Sequence, residues 1–195
     1  ITGSSVTLNA EEGIGATGAG PSIEIDATTL SATNSTSGGI FINETGDMTV
    51  ASVNAGTGAV ELRSTGAINE SVVDNNVKIA ASGAVTLIAT NGIGSTSALD
   101  LGNVTNLTLD TDGSFSVQTA GTLTDLAVTV DPAAGEDSYT LVDNTGATAN
   151  LTFTVTDAET DLTVTTVSVG AGNLNFTLTS DTGNINVGTG SGRRN

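Results

Sequence analysis

The sequence predicts an all-β fold, a parallel β-helix in which short strands coil into stacked rungs. Three observations predict it. Strand formers such as Val, Ile and Thr dominate, and no stretch carries a sustained i, i+3, i+4, i+7 apolar spacing. Glycine or a Ser/Thr/Asn cluster interrupts most ten-residue windows, which leaves no room for crossover helices. Above all, one phrase recurs: two apolar residues in alternation, a polar turn containing glycine, then a single apolar residue six positions after the second strand residue. Recurrence of one supersecondary phrase is the mark of a repeat architecture.

The copies run through most of the chain. Val6 and Leu8 lead to Ile14, Ile40 and Ile42 to Met48, Val60 and Leu62 to Ile68, Val85 and Leu87 to Ile93, and Phe115 and Val117 to Leu123. The turn glycines are Gly13, Gly46, Gly66, Gly92 and Gly121. Between copies lie further alternating segments, Ile23-Glu24-Ile25, Val77-Lys78-Ile79, Leu99-Asp100-Leu101 and Leu107-Thr108-Leu109, read as a second kind of strand shared by all rungs. Stacked about 4.8 Å apart, such rungs pair every backbone N–H and C=O with a neighbour and set Val on Ile on Leu along the interior. Val6, Ile40, Val60, Val85 and Phe115 are therefore expected in one interior column.

Three parts follow. Residues 1–124 form β-solenoid rungs. Residues 125–171, where the phrase fades into strands such as Leu126–Val130 and Leu151–Val155, form a hairpin-rich β insertion or a set of wider rungs. Residues 172–195 resume the rungs with Phe176-Thr177-Leu178 and Ile185-Asn186-Val187. The chain starts at Ile1 without a methionine, which reads as a mature form or a fragment.

Composition narrows the function. With 21 acidic residues against 4 basic, the formal net charge is −17, so nucleic acid and anionic membrane are poor partners. No apolar run reaches the roughly 18 residues needed to span a bilayer. There is no cysteine, hence no disulfide framework and no thiolate zinc site. There is no histidine, hence no side chain that titrates near neutrality for general base work, and no Ser/His/Asp or Cys/His arrangement. Apart from the terminal Arg193 and Arg194, the cations are Arg63 and Lys78. The sequence points away from an enzyme and away from any cofactor except calcium.

Calcium would be weakly held. Asp110-Thr111-Asp112-Gly113 resembles the opening of a calcium loop but lacks the later ligands of an EF-hand, because Phe115 stands where another oxygen donor is needed. Asp157, Glu159 and Asp161 form a second acidic turn. The bland alternative is that Asp110, Asp112, Asp157, Glu159 and Asp161 are solvated corners. Threonines alternate with apolar residues at Thr152/Thr154/Thr156, Thr163/Thr165 and Thr177/Thr179, a pattern that orders water on ice-binding surfaces and is also ordinary strand chemistry. Asn34, Asn43, Asn69, Asn103, Asn106, Asn150 and Asn175 each open an N-glycosylation acceptor pattern, most of them expected by chance in so Thr-rich a chain.

Phrases such as Gly83-Ala84-Val85-Thr86-Leu87, Asn91-Gly92-Ile93-Gly94 and Thr45-Gly46-Asp47-Met48-Thr49-Val50 resemble the repeats of secreted bacterial surface proteins of the filamentous haemagglutinin type. The likeness covers about 1–124 and 172–190. It implies a right-handed β-helix, an extracellular or cell-surface location, and a structural role in adhesion, aggregation or biofilm matrix. The partners expected are further copies, joined end to end through the open strand edges of a rod, or a host or cell-surface ligand. The alternative from another class is a carbohydrate- or ice-binding module that uses the polar exterior. Aromatic residues make up only 3% of the chain, which weighs against sugar stacking.

Overall fold

The computed structural model describes residues 1–18, 20, 22–104 and 106–119 in full, and beyond them the backbone course of strands within 125–187. The strands are β1 (Thr2–Ala10), β2 (Ile23–Asn34), β3 (Ile40–Glu44), β4 (Met48–Asn54), β5 (Val60–Ser64), β6 (Ile68–Glu70), β7 (Ile79–Ala80), β8 (Val85–Ala89) and β9 (Leu99–Gly102). They continue with β10 (Asn106–Thr111), β11 (Phe115–Thr119), β12 (Asp125–Val130), β13 (Asp137–Asp143), β14 (Asn150–Asp157), β15 (Leu162–Ser168), β16 (Asn173–Ser180) and β17 (Ile185–Val187). The described residues contain no helix, and therefore none long and apolar enough to cross a membrane.

All pairings are parallel, and they build a β-solenoid with two principal sheets. Sheet I runs from β1 through the second half of β2 to β4, β7, β9, β11, β13, β15 and β17, with β6 also paired to β4. Sheet II runs from the first residues of β2 through β3, β5, β8 and β10 to β12. The long strand β2 passes from one sheet to the other. Each coil of the chain thus lays one strand in sheet II, bends tightly, lays one in sheet I, and returns through a wider corner.

The interior of sheet II is a set of ladders. Ile14, Ile40, Val60, Val85 and Leu107 stack in one, and Ile23, Ile42, Leu62, Leu87 and Leu109 in the next. All but the half-buried Ile23 are buried. Sheet I supplies the facing ladders, among them Val6, Leu30 and Val50, and Met48, Ile68, Ile93 and Phe115. Period-2 alternation sends every other residue inward, so the rungs share one aliphatic axis with Phe115 as the one buried aromatic among the described residues.

The expected single column divides among three ladders. Ile40, Val60 and Val85 share a ladder in sheet II, but Val6 and Phe115 lie in sheet I. The member that follows Val85 is Leu107, and the six-residue step into the next bend is Leu109 to Phe115 with Gly113 in the turn. The second kind of strand divides as well. Ile23 and Leu107 belong to sheet II, whereas Ile79 and Leu99 belong to sheet I and Val77 is exposed. Both sheets read as apolar-x-apolar, so alternation cannot tell them apart. The discriminating feature is the bend, which the recurring phrase places one strand late at Phe115. Leu123 and Gly121 lie outside the described residues.

The strands in 125–171 extend the stack. β12 pairs with β10, β13 with β11 and β15, and β14 with β16, every time in parallel. A hairpin requires antiparallel neighbours, so the hairpin expectation does not hold for these strands, and their pairing is that of further rungs. β14 lies beside β12.

One corner shows why glycine recurs. At the passage from sheet I to sheet II, a Cβ added to Gly58 would strike the carbonyl oxygen of Gly38, and one added to Gly83 would sit 2.6 Å from that of Gly58. Successive backbones meet there without side chains between them, and only glycine allows it.

Candidate functional site

The outer surface is the first place to seek a function. On sheet I, the outward residues stack as Ser5, Thr29, Thr49 and Asn69, as Thr7, Ser31 and Ser52, and as Asn9, Thr33 and Asn54. These hydroxyls and amides repeat at the rung spacing and form a polar face. At its edge, Asn9, Ala10, Glu11, Thr33 and Ser35 line an open groove of about 410 Å³. Sheet II is different. Its outward residues include Phe41, Glu61 and Arg63, with the Arg63 Nε donating to the Glu61 carboxylate at 2.7 Å and Asn43 donating to both Glu24 oxygens.

The bend from sheet II to sheet I holds a third ladder that sequence reasoning missed. Ile25, Glu44, Ser64, Ala89 and Thr111 stack there, and the polar members are buried. Each serves backbone groups that the chain leaves unpaired as it turns. The Glu44 carboxylate accepts the Ala27 N–H at 3.0 and 3.1 Å. The Ser64 hydroxyl accepts the Gly66 N–H at 3.0 Å and donates to the Gly46 carbonyl. Thr111 accepts the Gly113 N–H at 3.1 Å. Burial pushes the Glu44 carboxyl above its ordinary range, the Ala27 hydrogen bond pulls it back, and the Asp26 charge pushes it further up. A signal was present in the sequence. A polar residue stands two positions after the second apolar strand residue in Ile42-x-Glu44, Leu62-x-Ser64 and Leu109-x-Thr111.

The acidic turns expected to hold calcium stand as follows. Asp110 is a half-buried outward residue of β10, beside Ile88 and Thr129, and Asp112 is exposed in the following bend. Asp157 ends β14 opposite Ser180, separated from β10 by β12, and Glu159 and Asp161 lie outside the described residues. Among the described residues, no group of three or more His, Cys, Asp or Glu side chains is arranged to hold a metal ion. The threonines of 152–179 likewise fall where side chains are not described. Of the glycosylation patterns, Asn34 is buried and its amide donates to the Ser37 and Gly38 carbonyls, so that amide is committed to the corner.

A different charged group does come together, where sheet I is interrupted. After Glu70 the chain leaves the sheet as a loop, 71–78, and rejoins it at Ile79. Ser71, Asp74, Asn75 and Asn76 cause the departure. Asp74 accepts the Asn76 N–H at 2.9 Å, an Asx-turn that competes with the strand ladder. One rung on, the chain leaves again through 94–98, and Ser95 donates to the Asn69 side chain at 3.0 Å.

Between these excursions lie Glu70, Lys78 and Asp100, each no more than 6% exposed, with the more open Asp74. The Lys78 ammonium donates to Asp74 at 2.6 Å and its backbone N–H to the Asp100 carbonyl at 2.8 Å. That ammonium, with help from Asn76, holds the Asp74 carboxyl down to about 2. Burial first, and the Glu70 charge second, push the Asp100 carboxyl up, while Lys78 acts the other way. Neither Glu70 carboxylate oxygen has a hydrogen-bond partner among the described residues.

No protein family, curated protein or solved structure matches this chain in the comparisons made with each.

Proposed function

We propose that this chain is a structural and adhesive segment of a secreted bacterial surface protein, a β-solenoid rod of the kind that filamentous haemagglutinin-like adhesins build. The observation that supports the reading is the division of labour across the rung. Main-chain pairing and an aliphatic axis hold the fold, so the outward residues of both sheets are free to vary without disturbing it. Such a rod acts by holding binding surfaces at a distance from the cell and by presenting the same face rung after rung. Its working location is extracellular, and its partners are other copies or a cell-surface ligand rather than nucleic acid. No catalytic step is assigned to it.

The test is to display the chain on the surface of a non-adhesive bacterium. Sedimentation of clumped cells, or retention on host-cell layers above the level of an undisplayed control, is the expected result. Monodisperse cells that fail to adhere to cells or matrix would overturn the reading.

A second reading draws on the stacked Ser, Thr and Asn columns of sheet I and the groove beside them. A regular hydroxyl array of this kind suits carbohydrate or ice. Thermal hysteresis, or glycan-array binding that is lost in Thr29→Val with Thr49→Val, would favour it over adhesion through other copies.

A further inference from the structure

We propose that Asn103 is an N-linked glycosylation site, and that among the described acceptor patterns it is the one on which the folded rod carries a sugar. Five of those patterns begin at described residues, Asn34, Asn43, Asn69, Asn103 and Asn106, and the fold separates them. Asn34 is buried, with its amide spent on the Ser37 and Gly38 carbonyls. Asn43 lies inside β3 and donates to both Glu24 oxygens. Asn69 lies inside β6, where its side-chain oxygen accepts from the Ser95 hydroxyl at 3.0 Å. Asn106 is exposed, but it opens β10, and its pattern's Thr108 is held in the ladder between Thr86 and Ala127. Asn103 stands past the end of a strand. β9 stops at Gly102, and Asn103 is exposed in the corner that leads to β10.

The chemistry makes that position decisive. The donor is a sugar whose C1 carries a phosphate leaving group. The asparagine Nδ2–C1 bond forms as the C1–O bond to phosphate breaks, the amide gives up one proton, and a nucleoside diphosphate or lipid pyrophosphate departs. For this the amide and the hydroxyl two residues on must enter a transferase cleft together, which a residue tied into a ladder does only by breaking its pairing. Asn103 has φ +58°, the one positive value at a non-glycine among the described residues, and so turns the chain out of the ladder. Glycine or aspartate would satisfy that backbone as well; asparagine, with Thr105 completing the pattern, also supplies an acceptor. The corner lies between sheet I and sheet II, so a bulky polar sugar there stays in water and leaves the outward columns of both sheets uncovered. On Asn34 the same sugar would displace a buried amide from the carbonyls it holds. The proposal does not depend on the adhesive reading.

The test offers the whole folded chain two donors in separate reactions: UDP-glucose with a soluble asparagine glucosyltransferase, and a lipid-linked oligosaccharide with an oligosaccharyltransferase that accepts folded proteins. Site-resolved mass mapping then reads the adduct, whose mass tells a single hexose from an oligosaccharide and so identifies the source. Asn103 should be modified in at least one reaction, with an occupancy at least tenfold above that of Asn34, Asn43, Asn69 or Asn106. Asn103→Gly keeps the turn, because glycine takes positive φ readily, and should abolish the adduct while leaving the melting temperature unchanged. Thr105→Ala should abolish it with Asn103 still in place. An unmodified Asn103 with both donors would overturn the proposal. So would equal or greater occupancy at any of the other four asparagines of the folded chain, or an adduct at Asn103 that survives Thr105→Ala.

Discussion

Sheet II between Ile40 and Leu107 and sheet I between Ile68 and Leu101 cross the same coils of the rod, yet they are built differently. In sheet II, β3, β5 and β8 are five residues each with the same buried and half-buried alternation, and their ladders run unbroken from Ile40 to Leu107. In sheet I, the corresponding coils are cut by 71–78 and 94–98, which leaves β6 with three residues and β7 with two. Where the ladder is continuous, the buried set is aliphatic and the few buried polar groups are spent on the bends. Where it is cut, charged side chains enter the buried set, as Glu70, Lys78 and Asp100 do. Insertions in a solenoid are tolerated because neighbouring rungs carry the backbone pairing on either side. They are also the places where chemistry beyond packing can be added.

The comparison breaks most readily at the continuous ladder. Leu87 is fully buried between Leu62 and Leu109, so Leu87→Ala should lower unfolding free energy by about 3 kcal/mol in a urea titration. Val73, 74% exposed in the loop, is the matched control, and Val73→Ala should stay within about 0.5 kcal/mol. Equal losses at the two positions would erase the distinction between the regions.

The next effect is at the glycine corner. Gly58→Ala forces a methyl against the Gly38 carbonyl and should cost about 2 kcal/mol by the same titration, with no loss of β signal in circular dichroism at low denaturant.

Glu44 sharpens the comparison, because it is the buried acid of a regular bend. Glu44→Ala leaves the buried Ala27 N–H unpaired and should cost about 1 to 2 kcal/mol at neutral pH. Its pH signature is separate. Burial raises the carboxyl pKa in the folded chain, so the native state holds that proton more tightly than the unfolded state does. The stabilisation is complete below the ordinary value of 4.5 and is lost as the pH climbs through the folded-state value. Melting curves at stepped pH should therefore show the wild type losing stability relative to Glu44→Gln as pH rises from about 4.5; a flat difference would contradict it.

The smallest change is expected on the outer face of sheet II. Arg63→Ala removes a partly exposed ion pair with Glu61 and should shift stability by no more than about 0.5 kcal/mol, less still in high salt.

The legible part of the candidate site was small for a physical reason. Acidic turns such as Asp110-Thr111-Asp112-Gly113 are contiguous in sequence and invite notice. Glu70 and Asp100 are thirty residues apart, and each sits in an ordinary alternating segment, Ile68-Asn69-Glu70 and Leu99-Asp100-Leu101. Alternation alone would turn Asp100 toward solvent. In the fold Asp100 is buried, and Val77 of the 71–78 loop lies over Gly102, two residues further on.

The sequence by itself determined the all-β class, the parallel stacking and the aliphatic interior, because these follow from local alternation, turn residues and the absence of helix periodicity. It also excluded histidine and cysteine chemistry outright. The tertiary structure alone decided which strands share a sheet, since two faces with the same apolar-x-apolar pattern are interchangeable until the bends assign them. It likewise decided where the buried charges meet. Burial of a charged side chain depends on which loop covers it, and that is a property of neighbouring rungs and not of the residues on either side.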